Sequence, residues 1–422
     1  MRAFLRALFG SDAARRSLRP RQLLVDVSVI YQSDARTGIQ RVVRAVLTGL
    51  EQALPANVQL VPVAAARRRS YRVVPADFLQ TSERPPLAAL PRVGRRRAGD
   101  VFLGLDLAAH IQPRRTRELY RWKRQGCRVA VVVYDLLPIR HPEWFSEGLV
   151  ASFAQWMRLH ARLADTFLCI SRWVAKDVAA YLEEAGVVRP SAPQIFAFPL
   201  GADLATSVPS TGVAEQDAPA LRLAREHATI LCVGTVEPRK GHAQVVDAFE
   251  AQFEAGTDGV PWGLVLVGRA GWKTEPLQER LRELSQSGKP FAWLESASDE
   301  TLEYLYEACT GVVVPSLDEG FGLPIIEGLA HGKPVLASDI GVFHELAAPG
   351  VSFFQSREAR ALARTIRDFV DAPPKVDASE LLASVTWANC VSHLMDHLDL
   401  AGAGGSGSAP CLCGELQGQA AR

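Results

Sequence analysis

Two glutamates, Glu319 and Glu327, bracket the run Gly320-Phe321-Gly322-Leu323-Pro324, and an earlier stretch, VGTVEPRKGH, carries the adjacent cations Arg239 and Lys240. Pro324 suits the first turn of a helix, whose bare amides and roughly half a positive charge make an anion site. Gly320 and Gly322 let backbone come close to a ligand. Taken singly, Glu327 could serve only the helix dipole and Glu319 could cap a turn. As a pair they suit another task, because one carboxylate accepts hydrogen bonds from two vicinal hydroxyls, the diol that both a hexose and a ribose present. Arg239 and Lys240, beside a second helix start, would neutralise a diphosphate and stabilise it as it departs. A third acid, Asp135, ends the apolar run VVVYD and is a candidate general base or orienting group for a hydroxyl, with a strand-end turn cap as its plainer reading.

Positioning such groups needs strand ends that converge. From Leu23 onward, short apolar runs alternate with longer segments of helical period, the pattern of strand-helix units in a parallel sheet. LLVDVSVI, VQLVPV, DVFLGLDL, RVAVVVYDL, DTFLCIS and QIFAFPLG read as strands of a first domain. ATILCVGTV, WGLVLVGR, FAWLES, GVVVPS and PVLASD read as strands of a second. The polar interval 205–218 between them has linker composition. The divisions expected are a basic segment over 1–22, a first domain over 23–204, a second over 219–376, one amphipathic helix over 377–400 and a Gly/Ser-rich tail over 401–422 that lacks the apolar content to fold. Ligands of doubly wound sheets bind beyond the carboxyl ends of the strands, so the site is expected in an interdomain cleft.

Composition narrows the classes. No run of about 18 uncharged apolar residues occurs, and MRAFLRALFG is too short and too arginine-rich for a signal peptide, so a cytoplasmic chain is expected. Seven cysteines, three of them (Cys169, Cys232, Cys309) in or beside apolar runs and one close pair (Cys411, Cys413) in the polar tail, argue against a disulfide or metal framework. The net charge of +1 conceals an asymmetry: residues 1–128 carry 25 Lys+Arg against 9 Asp+Glu, so the first part is a cation and the remainder an anion. That field suits an anionic membrane surface or anionic substrate; ordinary solvated arginines are the plainer reading. Nucleic acid is the weaker partner, because aromatic residues are sparse around ARRRS and GRRRAGD and no binding module accompanies them.

Glu319 and Glu327 with Gly-Phe-Gly-Leu-Pro between them resemble the Glu-x7-Glu motif of the family 4 retaining glycosyltransferases, and VGTVEPRKGH resembles the family's Arg-Lys segment. DARTGIQRVVRAVLTGL, with Gly38 at a helix start, resembles a subgroup that builds bacterial surface polysaccharides, often from mannose. The resemblance covers about 23–400 and implies an α/β protein of GT-B fold: two doubly wound Rossmann-like domains, acceptor on the first and nucleotide sugar on the second, facing a cleft. It implies that Glu319 meets the transferred sugar, Glu327 the ribose, the amides of Gly320, Phe321, Gly322 and Leu323 the sugar and phosphate, and Arg239 and Lys240 the diphosphate. Gly38 would face the cleft from the first domain. One departure stands out. Tyr134 occupies the position where the family commonly has histidine, so either its hydroxyl substitutes, or His141 enters, or the contact is absent. Ser171 is read as a helix cap, Glu345 as an organiser of backbone, and Gly268 and Trp272 as base-side or simple turn and packing residues.

The implied reaction is transfer of a hexose, mannose from GDP-mannose by the subgroup resemblance, to a glycan or lipid-linked acceptor with retention. No cofactor or metal is required, since the cations and helix amides supply countercharge and no Asp-x-Asp sits at a strand end. The alternative is a catalytically weak scaffold that binds nucleotide sugar in a polysaccharide-assembly complex, with Tyr134 marking lost chemistry.

Overall fold

The computed structural model describes residues 19–34, 37–81, 83–201, 212–254 and 260–400. The basic opening segment up to residue 18, the first half of the linker, the 401–422 tail and its two cysteines lie outside them. The first domain holds a seven-stranded sheet in the order β3-β2-β1-β4-β5-β6-β7, and the second a six-stranded sheet in the order β10-β9-β8-β11-β12-β13. In chain order these are β1 (Arg21–Asp26), β2 (Val58–Ala66), β3 (Arg69–Val73), β4 (Val101–Gly104), β5 (Arg128–Val133), β6 (Thr166–Cys169), β7 (Gln194–Ala197), β8 (Thr229–Val233), β9 (Gly263–Val267), β10 (Phe291–Leu294), β11 (Gly311–Val314), β12 (Val335–Ser338) and β13 (Val351–Phe354). Every pairing is parallel except the β2–β3 hairpin.

Helices cover both faces of a parallel sheet, so its inner strands carry apolar residues on both sides. β11 reads GVVV and is buried throughout; β5 reads RVAVVV and is buried from Val129 onward. The five cysteines of the described residues are buried free thiols. Both sheets reverse their winding direction at a switch point, between β1 and β4 in one and between β8 and β11 in the other. Crevices form outside the carboxyl ends of the strands at such points. The two stretches richest in candidate chemistry leave β8 and β11, the pair that flanks the second switch point.

Several elements differ from expectation. β1 stops at Asp26 and residues Ser28–Gln32 turn into a short helix, where the apolar run suggested strand through Ile30. Two buried carboxylates cause the turn: Asp26 accepts from the Ser28 amide at 2.9 Å, and Asp106 accepts from the amides of Val29 and Ile30 at 2.7 and 2.8 Å. The single helix expected over 377–400 is two, Ser379–Ser384 and Trp387–His397, because the Thr386 hydroxyl caps a new start by accepting from the Asn389 amide at 3.1 Å. The second of these packs back on the first domain's helix Gly38–Ala53, so the chain closes across both domains. After the undescribed stretch 202–211, the second domain enters through the helix Ala218–Glu226.

Candidate functional site

The domains enclose a cavity of about 2110 Å³ lined from both sides. Its second-domain wall is built by the β8 and β11 loops. β8 leads to a single 3-10 turn, Pro238–Lys240, then Gly241 in the left-handed region at φ 65°, and only then the helix His242–Ala251. Arg239 and Lys240 therefore sit in a tight turn ahead of the helix instead of opening it, as the sequence suggested. The turn is pinned to the other loop by the Leu317 amide, which donates to the Arg239 carbonyl at 2.7 Å.

That arrangement puts Glu319 between the two cations. Its carboxylate accepts from Arg239 Nη1 at 2.6 Å, from Ser316 Oγ at 3.0 Å and from Lys240 Nζ. Burial opposes the charge, but Arg239 and Lys240 together outweigh it and hold the Glu319 carboxyl down at about 2. Arg239 in turn is shared. Its other nitrogen, Nη2, lies 2.7 Å from Glu237, a buried acid in the same turn. Burial raises the Glu237 pKa, with the neighbouring cations opposing.

Gly320 and Gly322 are required by the protein's own packing. A Cβ at Gly320 would lie 1.9 Å from the Tyr134 carbonyl oxygen of the opposite domain, and one at Gly322, φ 115°, would lie 2.8 Å from the Phe343 ring. The domains thus meet where the loop lacks a side chain. Phe321 is buried in the core, and Leu323 opens the helix Leu323–Ala330, whose start has no side-chain cap and faces the cavity. Within that helix, Glu327 is buried but lines the cavity. One of its oxygens accepts from Tyr306 Oη at 2.7 Å and the other from the Arg41 guanidinium of the first domain.

On the first-domain wall, Thr37 and Gln40 form a reciprocal capping box that opens the helix Gly38–Ala53. Gly38 lies at that start, lines the cavity and has open space where a Cβ would be. Asp135 lines the cavity beyond the end of β5. It accepts from the Leu137 amide at 3.1 Å, so the turn-capping role and the cleft position coexist. Burial, against the pull of Arg239, pushes its carboxyl up to about 6. Tyr134 is buried and donates its hydroxyl to the Leu105 carbonyl at 2.8 Å, so that hydroxyl is committed to the core. His141 stacks on Trp144 at 4.0 Å and approaches Asp318 at 3.4 Å, outside the cavity lining. Neither replaces the expected histidine.

The remaining candidates tie the domains together. Ser171 caps its helix through the Val174 amide at 3.1 Å and also donates to the Gly320 carbonyl at 2.8 Å. Glu345 accepts from the amides of Arg172 and Trp173 across the interface at 2.9 and 2.5 Å. Trp272 donates its indole N–H to the Trp144 carbonyl at 2.8 Å as an interdomain clasp, while Gly268 packs within the second domain, where a Cβ would lie 1.8 Å from the Gly234 carbonyl; both also line the cavity, where the base-side reading would have them. The sequence reading passed over Arg41, Glu237, Tyr306 and Ser316. Arg41, Glu237 and Ser316 lie inside stretches that drew attention for other residues; Tyr306 carries no signal apart from its contacts.

The chain is similar to known proteins in these terms. The family described as Glycosyl transferases group 1 matches residues 213–380. A Serotype-specific mannosyltransferase WbdA of Escherichia coli is 35% identical over 387 residues, covering 90% of this chain and 45% of that protein. This chain thus spans about half the length of such curated relatives. The Lipopolysaccharide core biosynthesis mannosyltransferase LpsB of Rhizobium meliloti is 26% identical over 66% of this chain and 80% of its own length. The crystal structure of an alpha,alpha-trehalose-phosphate synthase (UDP-forming) from Burkholderia vietnamiensis superposes with a TM-score of 0.59 at 13% identity, over 90% of this chain and 100% of that one, a likeness of fold. With two facing doubly wound domains and this similarity along nine-tenths of its length, the chain has the GT-B fold and is similar to the group 1 glycosyltransferases, whose family model its second domain matches.

Proposed function

We propose that the protein transfers mannose from GDP-mannose to a glycan or lipid-linked acceptor in polysaccharide biosynthesis, with retention at the anomeric carbon. One observation carries the reading: a single interdomain cleft is lined by Glu319, Arg239, Lys240, the start of the Leu323 helix and Glu327 on one wall, and by Gly38 and Asp135 on the other. The diphosphate lies against Arg239, Lys240 and the helix amides, the ribose diol on Glu327 and the hexose by Glu319. As the bond from the anomeric carbon to the phosphate oxygen breaks, its electron pair goes to the diphosphate, where the cations stabilise it. The acceptor oxygen, its hydroxyl oriented by Asp135, attacks from the same face and its proton passes to the departing phosphate. Glu319, ionised and buried between two cations, orients the sugar and stabilises developing positive charge without forming a bond. The countercharge comes from the protein, so no metal is assigned.

The relatives' names, mannosyltransferases of O-antigen and lipopolysaccharide synthesis, support the sugar and the process. Basic side chains support docking on an anionic membrane surface. Arg67 and Arg68 at the β2–β3 turn are exposed, as are Arg114, Arg117 and Arg124 on and beside the helix Thr116–Arg124. Arg115 ties the two elements by donating to the Arg67 carbonyl at 3.1 Å. Each such residue contributes about 1 kcal/mol at a charged bilayer. Among the described residues no helix is long and apolar enough to cross a membrane.

The test incubates the purified chain with GDP-mannose, UDP-glucose and other nucleotide sugars, with and without oligomannose acceptors, and reads linkage configuration by NMR. Transfer from GDP-mannose with an α-linked product is expected. Binding without turnover would favour the scaffold reading, which the committed Tyr134 hydroxyl motivates; transfer from another donor would overturn the sugar assignment. Co-sedimentation with anionic liposomes at low salt, lost on Arg67→Glu/Arg68→Glu, checks the membrane surface separately.

A further inference from the structure

Arg41 is the first domain's ion-pair partner for the acid assigned to the ribose. It lies in the first turn of the helix Gly38–Ala53, directly after the Thr37–Gln40 capping box that fixes that turn. Its guanidinium crosses to the second domain and pairs with one Glu327 oxygen, while the other oxygen accepts from the fully buried Tyr306 hydroxyl at 2.7 Å. The Glu327 side chain is 3% exposed, yet it borders the cavity. Burial disfavours the charge on Arg41, but Glu327 outweighs it and Asp299 adds to the same field, so the guanidinium is held charged.

A carboxylate oxygen has two lone pairs. With one donor already on each oxygen, Glu327 keeps one acceptor site per oxygen, which is the number a vicinal diol needs. The two existing donors fix the plane of the carboxylate, so the diol meets a preorganised acceptor. Tyr306 belongs to the same domain as Glu327; Arg41 does not. The acceptor geometry is therefore complete only when the domains stand as close as they do here.

We infer that Arg41 is a positioning residue for the donor's ribose, orienting Glu327 and making recognition of the 2′,3′-diol depend on domain approach. The inference rests on the nucleotide-sugar reading above and adds to it a residue from the acceptor-side domain. Arg41 acts on the donor through Glu327, so its loss is read as weaker donor binding.

The experiment is calorimetric titration of the full chain and its Arg41→Ala, Arg41→Lys and Tyr306→Phe variants with GDP and with 2′,3′-dideoxy-GDP, which lacks the diol. For the native chain GDP is expected to bind at least about 30-fold more tightly than the dideoxy ligand, from the two hydrogen bonds that the diol donates to Glu327. In Arg41→Ala the GDP affinity falls about 10- to 30-fold while the dideoxy affinity changes less than about 2-fold, so the preference collapses; Arg41→Lys recovers part of it. Equal losses for both ligands, or an unchanged preference, overturn the inference. Should Arg41→Ala fail to fold, Arg41→Lys and Tyr306→Phe carry the same comparison. Native protein that binds neither ligand nor UDP, ADP or dTDP would instead overturn the nucleotide-sugar reading itself, and the inference with it.

Discussion

Replacing Glu319 by glutamine keeps the shape of the side chain and removes the charge that Arg239 and Lys240 face. In the folded protein this carboxyl sits at about 2 against an ordinary 4.5. At about 1.4 kcal/mol for each tenfold change in proton affinity, ionised Glu319 stabilises the fold by about 3 kcal/mol at neutral pH. Because the folded value is depressed, that stability is fully present above about 4.5 and is lost as pH falls through about 2. Glu319→Gln should therefore be about 3 kcal/mol less stable at pH 7, and the deficit should shrink to about 2 kcal/mol at pH 3.5. For a domain of this size the neutral-pH deficit corresponds to a Tm lower by roughly 6–12 °C. Scanning calorimetry of both proteins from pH 7 to pH 3.5 reads it. GDP should raise the variant's Tm at least as much as the native protein's, since its phosphates supply the missing countercharge. A variant within 1 °C of native at pH 7, or a deficit that does not shrink in acid, refutes the electrostatic account of this site.

Lys240→Ala should lower transfer by roughly a hundredfold in steady-state assays, the scale of losing one transition-state electrostatic contact; near-normal turnover would remove the lysine from the mechanism. Gly320→Ala places a methyl 1.9 Å from the Tyr134 carbonyl oxygen, so the domains must part; small-angle scattering should show a more extended particle and transfer should fall at least tenfold, whereas an unchanged profile contradicts the packing role. Asp135, raised to about 6 chiefly by burial, is a carboxylate only above that value, so native transfer should decline below pH 6. Asp135→Asn should be slow and lack that acid limb; a limb that persists would assign it to another group.

How much of this was legible in the sequence depended on whether a feature is local. β5, β8, β9 and β11 announce themselves because strands buried on both faces are continuous apolar runs, and Glu319, Glu327, Arg239 and Lys240 because they share short loops with glycine and proline. β3 was not legible: a short edge strand reading RSYRV has no apolar run, and only its antiparallel pairing with β2 makes it a strand. β13, VSFF at the other sheet's edge, was not read either, and its parallel pairing with β12 is what makes it a strand. The helix break at Thr386 was missed because an amphipathic pattern continues through it, while the hydroxyl that restarts the helix looks like any polar residue. At the site, the glycines were visible but their reason was not. Gly320 reads as room for a ligand and proves to be room for the opposite domain's carbonyl, a long-range fact that no local pattern contains. Arg41 and Tyr306 were hidden for the same reason, since their meaning lies in meeting Glu327 from different parts of the chain.

The charge balance within the cleft bears on how a donor is chosen. Arg239 lies between Glu319 and Glu237 with Asp135 close enough to perturb it, and Lys240 is spent on Glu319, so both cations are already neutralised by the protein. A free phosphate gains little by entering, because it must replace carboxylates that are buried, prearranged and cannot leave. On the proposed function, a nucleoside diphosphate sugar brings more than charge: it would meet the amides at the Leu323 helix start and offer a diol to Glu327 and a hexose to Glu319, contacts that a simple anion cannot make. Selectivity for the whole donor then follows from self-neutralisation of the cations, with the first domain's Gly38, Asp135 and Arg41 contributing only when the cleft is closed around it.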